Sequence, residues 1–572
     1  MTRFVRQISA TAAIVCVASG SAAVEPPPAD RAIFAAMQRE LGRATRELAL
    51  PNAPRAYYVG YWVVDEAARS VEATLGTLVS DTFDRDRFVK VEVRVGSRAA
   101  DNSNMGSAAA DGDFVKEAEL LAPRPTSVDD DELAIRRDLW LATDAAYKGA
   151  VEALERKHAE KQSEIAARGE IPSFSTDVSS TRIVEDPPEK EPSDPRDLAR
   201  RVSAVFRTFP ELQKTSVRIV ETRVRRRFLS SDGGLVVEPS RFAGVELDCR
   251  TQAPDGMSLS RSSFLPASDG GQVAEAQAVS EARRVASQLV ELRTAKTATD
   301  YSGPVLFEGK AAAQLVYELL GESLSGTPPP DTSDLESPLS RKLGKRILPP
   351  GFNVVDDPTL VSWGAMPLLG HYFVDDEGIA AERTILAEDG RLRSFLMSRA
   401  PREELARSNG HGRSGLVGWA RGRVGNLVVS VKNGLSRSAL RSRFLRAVRD
   451  EDAEFGVVIE ELAPRTSASS GELMPNAEVA YRVDLDGTET LLRGVELAPM
   501  SVRDLRDVLA AGRDEGVYDF VVENDGGLDL PGSVVAPALL FEEVEIRGPT
   551  TPNKRPPIVP MPAIDPSLDG SK

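Results

Sequence analysis

Tyr317, Glu318 and Glu322 place a phenol and two carboxylates within six positions of one another, in the run FEGKAAAQLVYELLGESLSG over residues 307–326. Imidazole chemistry is limited to three histidines, His158, His371 and His411. A Ser-His-Asp hydrolase would have to recruit His371 or His411, with Asp375, Asp376 or Glu377 orienting the ring. No G-x-S-x-G elbow accompanies them, and no Gly-x-x-x-x-Gly-Lys-Ser/Thr phosphate loop occurs. The two cysteines are Cys16, inside the N-terminal apolar run, and Cys249. One thiol in an exported chain makes no internal disulfide and excludes a cysteine-based zinc site. Arg223, Arg225, Arg226 and Arg227 form a basic run that reads either as an anion site or as the solvated end of a strand.

These groups sit in a chain of 572 residues, long enough for three or four domain-sized units, with the 41% hydrophobic and 28% charged content of a globular protein. Arg3 and Arg6 precede an apolar stretch from Ala10 to Ala18 and the small residues Ser19 to Ala23, the pattern of a signal peptide over residues 1–23. Export to the periplasm or medium is therefore expected, with no membrane span elsewhere. Cleavage takes two arginines and no acid from the formal charge of −16, leaving −18. So acidic a chain repels phosphate backbones, and nucleic acid is not an expected partner.

The positioning elements follow from periodicity. Residues 31–48 read as an amphipathic helix, and 56–65, 71–81 and 87–95 as a three-strand meander whose Lys90, Glu92 and Arg94 face water. Residues 101–113 read as a loop and 131–168 as a long helix, packed through Ile135, Leu139 and Leu154 and carrying a surface His158. Residues 171–195 are linker-like. A helix at 196–213, strands at 216–229, 235–238 and 242–252, and a helix at 273–296 form a second unit. In the 307–326 stretch, Leu315, Val316, Leu319 and Leu320 make a buried helical stripe after a strand end. Beyond 330 the texture is β-rich, with hairpin signals between strand-like runs at Glu388-Asp389-Gly390, Lys432-Asn433-Gly434 and Asp486-Gly487 and a short helix at 501–511. The expected fold is α+β: an N-terminal α/β portion (24–170 and 196–300) and a C-terminal domain (301–548) dominated by antiparallel sheet, then a Pro-rich tail at 549–572.

The frame Tyr317-Glu318-x-x-x-Glu322 resembles the metal helix of the TldD/PmbA metallopeptidase family, His-Glu-x-x-x-His, with both histidines replaced. Leu343–Pro349, Asp356-Asp357-Pro358, the Asp-x-Glu-Gly stretch at 375–399, Ser408–Gly412 and 480–497 resemble later segments of that family in the same order. The likeness covers 300–545 and, more faintly, 196–300.

The resemblance implies a dimer around a central cavity and peptidase activity at a zinc held by two histidines and a later cysteine. Zinc needs such imidazole or thiolate donors to lower the pKa of its water to about 7. Glu318 matches the family's general base, Tyr317 and Glu322 stand where the histidines would be, and no cysteine follows Cys249. Two expectations stand. In one, the chain holds no zinc and acts as a peptide-binding or partner subunit, as a homodimer or a heterodimer with a TldD-like homologue. In the other, Glu318, Glu322 and His371 or His411 rebuild a zinc site and cleave a peptide or protein substrate.

Overall fold

The computed structural model describes residues 25–103, 121–163, 171–186, 194–267, 273–328, 337–463, 476–523 and 527–549, together with 554 and 557. The expected signal peptide, most of the expected 101–113 loop and nearly all of the tail lie outside them. Among the described residues no helix is long and apolar enough to cross a membrane.

The fold is α+β, built on two sheets. The first runs in the order Arg124–Pro125, Thr77–Val95, Ala56–Thr74, Lys214–Ser230, Leu235–Gln252, with Thr181–Ile183 and Ser258–Pro266 both on the outer edge of the last. Ala56–Thr74 pairs antiparallel with Lys214–Ser230, so both N-terminal stretches contribute to one sheet. The expected three-strand meander is instead a single hairpin of two 19-residue strands, Ala56–Thr74 and Thr77–Val95. Leu75 (φ 46°) and Gly76 (φ 77°) form its only tight turn, because two positive φ values match the twist of the flanking strands. The polar stretch around Glu66 to Ser70 looks like a break but stays extended. Leu235–Gln252 is likewise one strand through Pro239. That proline falls in the gap between the two outer partners, which reach only residues 235–237 and 244–252, so its missing N–H costs no bond there.

Period-2 alternation divides the residues of this sheet between two faces. Val59, Tyr61, Val63, Val89, Val91 and Val93 pack beneath the helices Arg31–Glu47 and Glu132–Ser163. The helices Pro195–Ala204 and Glu275–Thr294 bury Val71, Val217, Val245 and Leu247 further along. The other face carries Trp62 and Val64 beside Phe228 and Val236, packed against Val374 and Leu416 of the C-terminal domain.

The second sheet has twelve strands, with Tyr301–Phe307 held between Leu530–Arg547 (antiparallel) and Phe455–Leu462 (parallel). Alternation divides Tyr301–Phe307 too. Val305 and Phe307 pack with the helix Lys310–Leu320, and Leu306 with the helix Arg437–Asp450 on the opposite side. That second helix corrects the expected hairpin at Lys432-Asn433-Gly434. The turn leads from the strand Asn426–Val431 into a helix whose Ser436 side chain accepts a bond from the Ala439 N–H. The short helix expected at 501–511 is one 3-10 turn, Asp504–Asp507, before the strand Val508–Val522.

Candidate functional site

The Lys310–Leu320 helix begins after Gly309, whose φ of 55° lets the chain turn out of the strand. Leu315, Val316, Leu319 and Leu320 are buried as their spacing predicts. Tyr317, the next face round, is half-buried and stacks on Phe520 at 3.9 Å between ring centroids, with Tyr518 at 5.9 Å edge-on. The helix stops at Gly321, where a Cβ would lie 3.0 Å from the Tyr317 ring and 2.7 Å from its carbonyl oxygen. The ring thus lies over the helix end, against the strand Val508–Val522. The space left between Tyr317, Glu322, Arg423 and Phe520 is about 20 Å³, room for roughly one water.

Burial, then the neighbouring Glu322, Tyr518 and Glu318, pushes the Tyr317 phenol well above its usual value, so it stays neutral and a poor metal donor. Glu322 is largely exposed and lies 3.8 Å from Arg423. His411 is fully buried with both ring nitrogens engaged. Nδ1 faces the Asn409 carbonyl at 3.0 Å and its side-chain oxygen at 2.9 Å, and Nε2 faces Asp356 Oδ1 at 3.1 Å. Because Asn409 Nδ2 donates to the Phe395 carbonyl, its Oδ1 is the acceptor for the ring Nδ1–H, and Nε2 is turned to Asp356. His371 Nδ1 lies 3.0 Å from the Pro358 carbonyl, the ring packs edge-on against Phe373, and burial lowers its pKa. Among the described residues no three His, Cys, Asp or Glu side chains converge in a way that could hold a metal ion. Tyr317, Glu322, His371 and His411, as placed here, do not fit a zinc ion.

The remaining chemistry-bearing residues are absorbed by the fold. His158 is exposed. Cys249 is buried, its thiol pushed up to about 12 by burial and the nearby Asp248 charge. Of the arginine run, Arg223 is exposed as a solvated end would be, and the other three are spent within the fold. Arg225 and Arg227 both bind the fully buried Asp30, and Arg226 binds Asp376 and Glu238. Arg227 also reaches Asp65 at 2.9 Å.

The expectation that Lys90, Glu92 and Arg94 face water is wrong. Each is 3–4% exposed, because residues 371–419 close over that face. Lys90 Nζ donates to the Gly418 carbonyl (2.7 Å) and Ser414 Oγ (3.3 Å), and Arg94 binds Glu92 and Asp101 at 2.6 and 3.0 Å. The linker-like stretch is packed where it is described. Phe174 is 1% exposed, with the guanidinium of Arg94 3.8 Å from its ring centre and that of Arg399 at 4.0 Å. Ser175 and Ser180 donate backbone bonds to the Arg399 and Gly378 carbonyls.

Sequence reasoning missed two further features. A cleft of about 380 Å³ lies between the sheets, lined by Ser263, Leu265, Lys310, Glu461, Val517 and Asp519. Behind it the fully buried Arg261 joins the first sheet to Glu461 (2.6 Å) and Glu478 of the second. Burial pushes Asp519 up to about 6 and Glu478 up to about 7. The period-2 pattern of Ser258–Pro266 was the available signal, since it makes Arg261 and Ser263 neighbours on one face.

Residues 300–548 match the PmbA/TldA metallopeptidase C-terminal domain family. A metalloprotease of Archaeoglobus fulgidus is 25% identical over 205 residues, 36% of this chain and 44% of that protein. A metalloprotease of Methanothermobacter thermautotrophicus is 26% identical over 190 residues, 32% and 39% respectively. The matched region thus spans less than half of either relative. TldE from Thermococcus kodakarensis superposes with a TM-score of 0.60 at 13% identity, over 90% of this chain and 100% of that one. A protein from Thermotoga maritima MSB8 described as a modulator of a DNA gyrase does so at 0.58 and 16%, with the same coverage. At such identities the solved structures show the fold alone. The match over residues 300–548 makes the C-terminal domain one of the PmbA/TldA metallopeptidase type, and the related metalloproteases support that kinship over part of their length.

Proposed function

We propose that this chain is an exported, non-catalytic member of the TldD/PmbA family that binds extended peptide or serves as the partner subunit of a zinc-bearing homologue. The observation that carries this reading is the Tyr317 ring stacked on Phe520 over the end of the helix, where a metal would require donor groups and open space. Peptide binding draws support from the 380 Å³ cleft. Two of its walls are strands that pair along one side only over this stretch, Ser258–Pro266 with Leu235–Gln252 and residues 515–522 with Leu530–Arg547. Unpaired N–H and C=O groups along such edges can take up the main chain of an extended segment. Export is inferred from residues 1–23.

The test is a titration of the purified chain with labelled, mixed-sequence decapeptides, followed by mass spectrometry of the peptides. Saturable binding with the peptides intact is the expected result. Complete turnover of the peptides would overturn the non-catalytic reading, and absence of any binding would remove the peptide-binding half of it.

A further inference from the structure

The Asp375–Glu377 loop of the C-terminal domain is driven into the charged face of the N-terminal sheet. Trp62 Nε1 donates to the Asp376 carbonyl at 2.9 Å, and Arg226 reaches Asp376 from the strand Lys214–Ser230. All three acids of the loop are at most 8% exposed. Asp376 is neutralised by Arg226 and by Arg413 at 3.4 Å. Among the described residues, no cation lies within ion-pair distance of Asp375 or Glu377. Asp375 accepts the backbone N–H groups of Glu377, Ile379 and Gly412, and Glu377 Oε2 accepts the Arg399 N–H at 2.6 Å.

The two carboxyls share one small space. A methyl group added at Gly412 would collide with Glu377 Oε2 and lie 3.1 Å from Asp375 Oδ2. Two like charges that close in a dry site cannot both persist. The surrounding cations Arg399, Arg94 and Lys90 relieve them only in part, since each has nearer partners. Arg94 is spent on Glu92 and Asp101, Arg399 on Asp232, and Lys90 binds neutral oxygens. Tyr58, fully buried against Arg399, is held neutral by burial. Burial, then the charges of Asp375 and Glu92, push Glu377 up to about 8.

We infer that the Asp375–Glu377 pair is a proton-operated latch between the N-terminal sheet and the C-terminal domain. One proton held by the pair keeps the interface closed, and its loss at alkaline pH puts two unpaired anions into the contact and loosens it. The sign follows from linkage. A carboxyl whose folded-state pKa is raised adds stability that is complete below its unfolded value and is lost as pH rises through the folded value. The contribution of the pair therefore declines from acid pH onward and is lost as pH rises into the alkaline range.

The test is hydrogen exchange of the Glu377, Ile379 and Gly412 amides in the full chain at pH 6 and pH 9, corrected for the intrinsic rate, beside the emission of the buried Trp62. In the unmodified protein the three amides are expected to lose protection together at pH 9 while Trp62 emission shifts to the red. Glu377→Gln keeps the acceptor for Arg399 N–H and cannot ionise, so it is expected to hold the pH 6 pattern at pH 9. Unchanged protection in the unmodified protein would overturn the inference, whatever the variant does. Equal loss in the unmodified protein and in Glu377→Gln would overturn it as well.

Discussion

Truncating Tyr317 to alanine isolates the contact on which the reading of the site depends. Complete burial of an aromatic ring makes its removal cost about 3–5 kcal/mol. Tyr317 is half-buried, which brings the packing term to about 2 kcal/mol. Its stack on Phe520 at 3.9 Å adds about 1 kcal/mol of aromatic pairing. The expected destabilisation is thus about 2–3 kcal/mol. In a domain of this size that is a fall of roughly 5–10 °C in Tm. A double-mutant cycle with Phe520→Ala should return a coupling of about 0.5–1.5 kcal/mol, because each ring removes the other's partner. Calorimetry and urea unfolding give both numbers. A loss below about 0.5 kcal/mol for Tyr317→Ala, the range of ordinary surface substitutions, would mean that the ring does not fill the helix end.

Leu319→Asp puts an unpaired charge where the side chain is 4% exposed; soluble folded protein is not expected, and unchanged stability by circular dichroism would displace the helix from the core. Asp30→Asn leaves Arg225 and Arg227 facing a neutral group, at an expected cost of about 3 kcal/mol in urea unfolding. Burial raises the Asp30 pKa, but the bonds from Arg225 and Arg227 outweigh it and hold the carboxyl below its usual value. Its stability contribution is therefore present at neutral pH and lost as pH falls below about 4, and the Asn variant should lack that acid-side slope. The exported chain is expected to begin near Val24; N-terminal sequencing that returned intact Met1 from envelope or medium would contradict export.

The elements carrying strong local signals were legible from the residues. The Leu315–Leu320 stripe gave the site helix, and Ile135, Leu139 and Leu154 gave the long N-terminal one. Alternation through Lys90, Glu92 and Arg94 correctly separated the two faces of the first sheet. It could not say that the charged face is dry, because what covers it is supplied by residues more than 270 positions later, and ion pairs such as Arg94–Glu92 make that burial tolerable. The helix Arg437–Asp450 was hidden by its arginines, although Leu440, Phe444, Ala447 and Val448 repeat at helical spacing behind a Ser436 cap. At the site, the resemblance suggested that Tyr317 and Glu322 stand where the family has histidines. Only the geometry showed that His411 is spent on Asp356 and Asn409 and that Tyr317 lies on an aromatic neighbour.

Elemental analysis of the purified, unmodified chain beside a peptidase assay on the same sample tests the central claim most directly. With Tyr317 and Glu322 in place of imidazole donors and no cysteine after Cys249, zinc is expected far below one equivalent and peptides are expected to remain intact. One equivalent of zinc, with cleavage abolished by a chelator and by Glu318→Gln, would contradict the account.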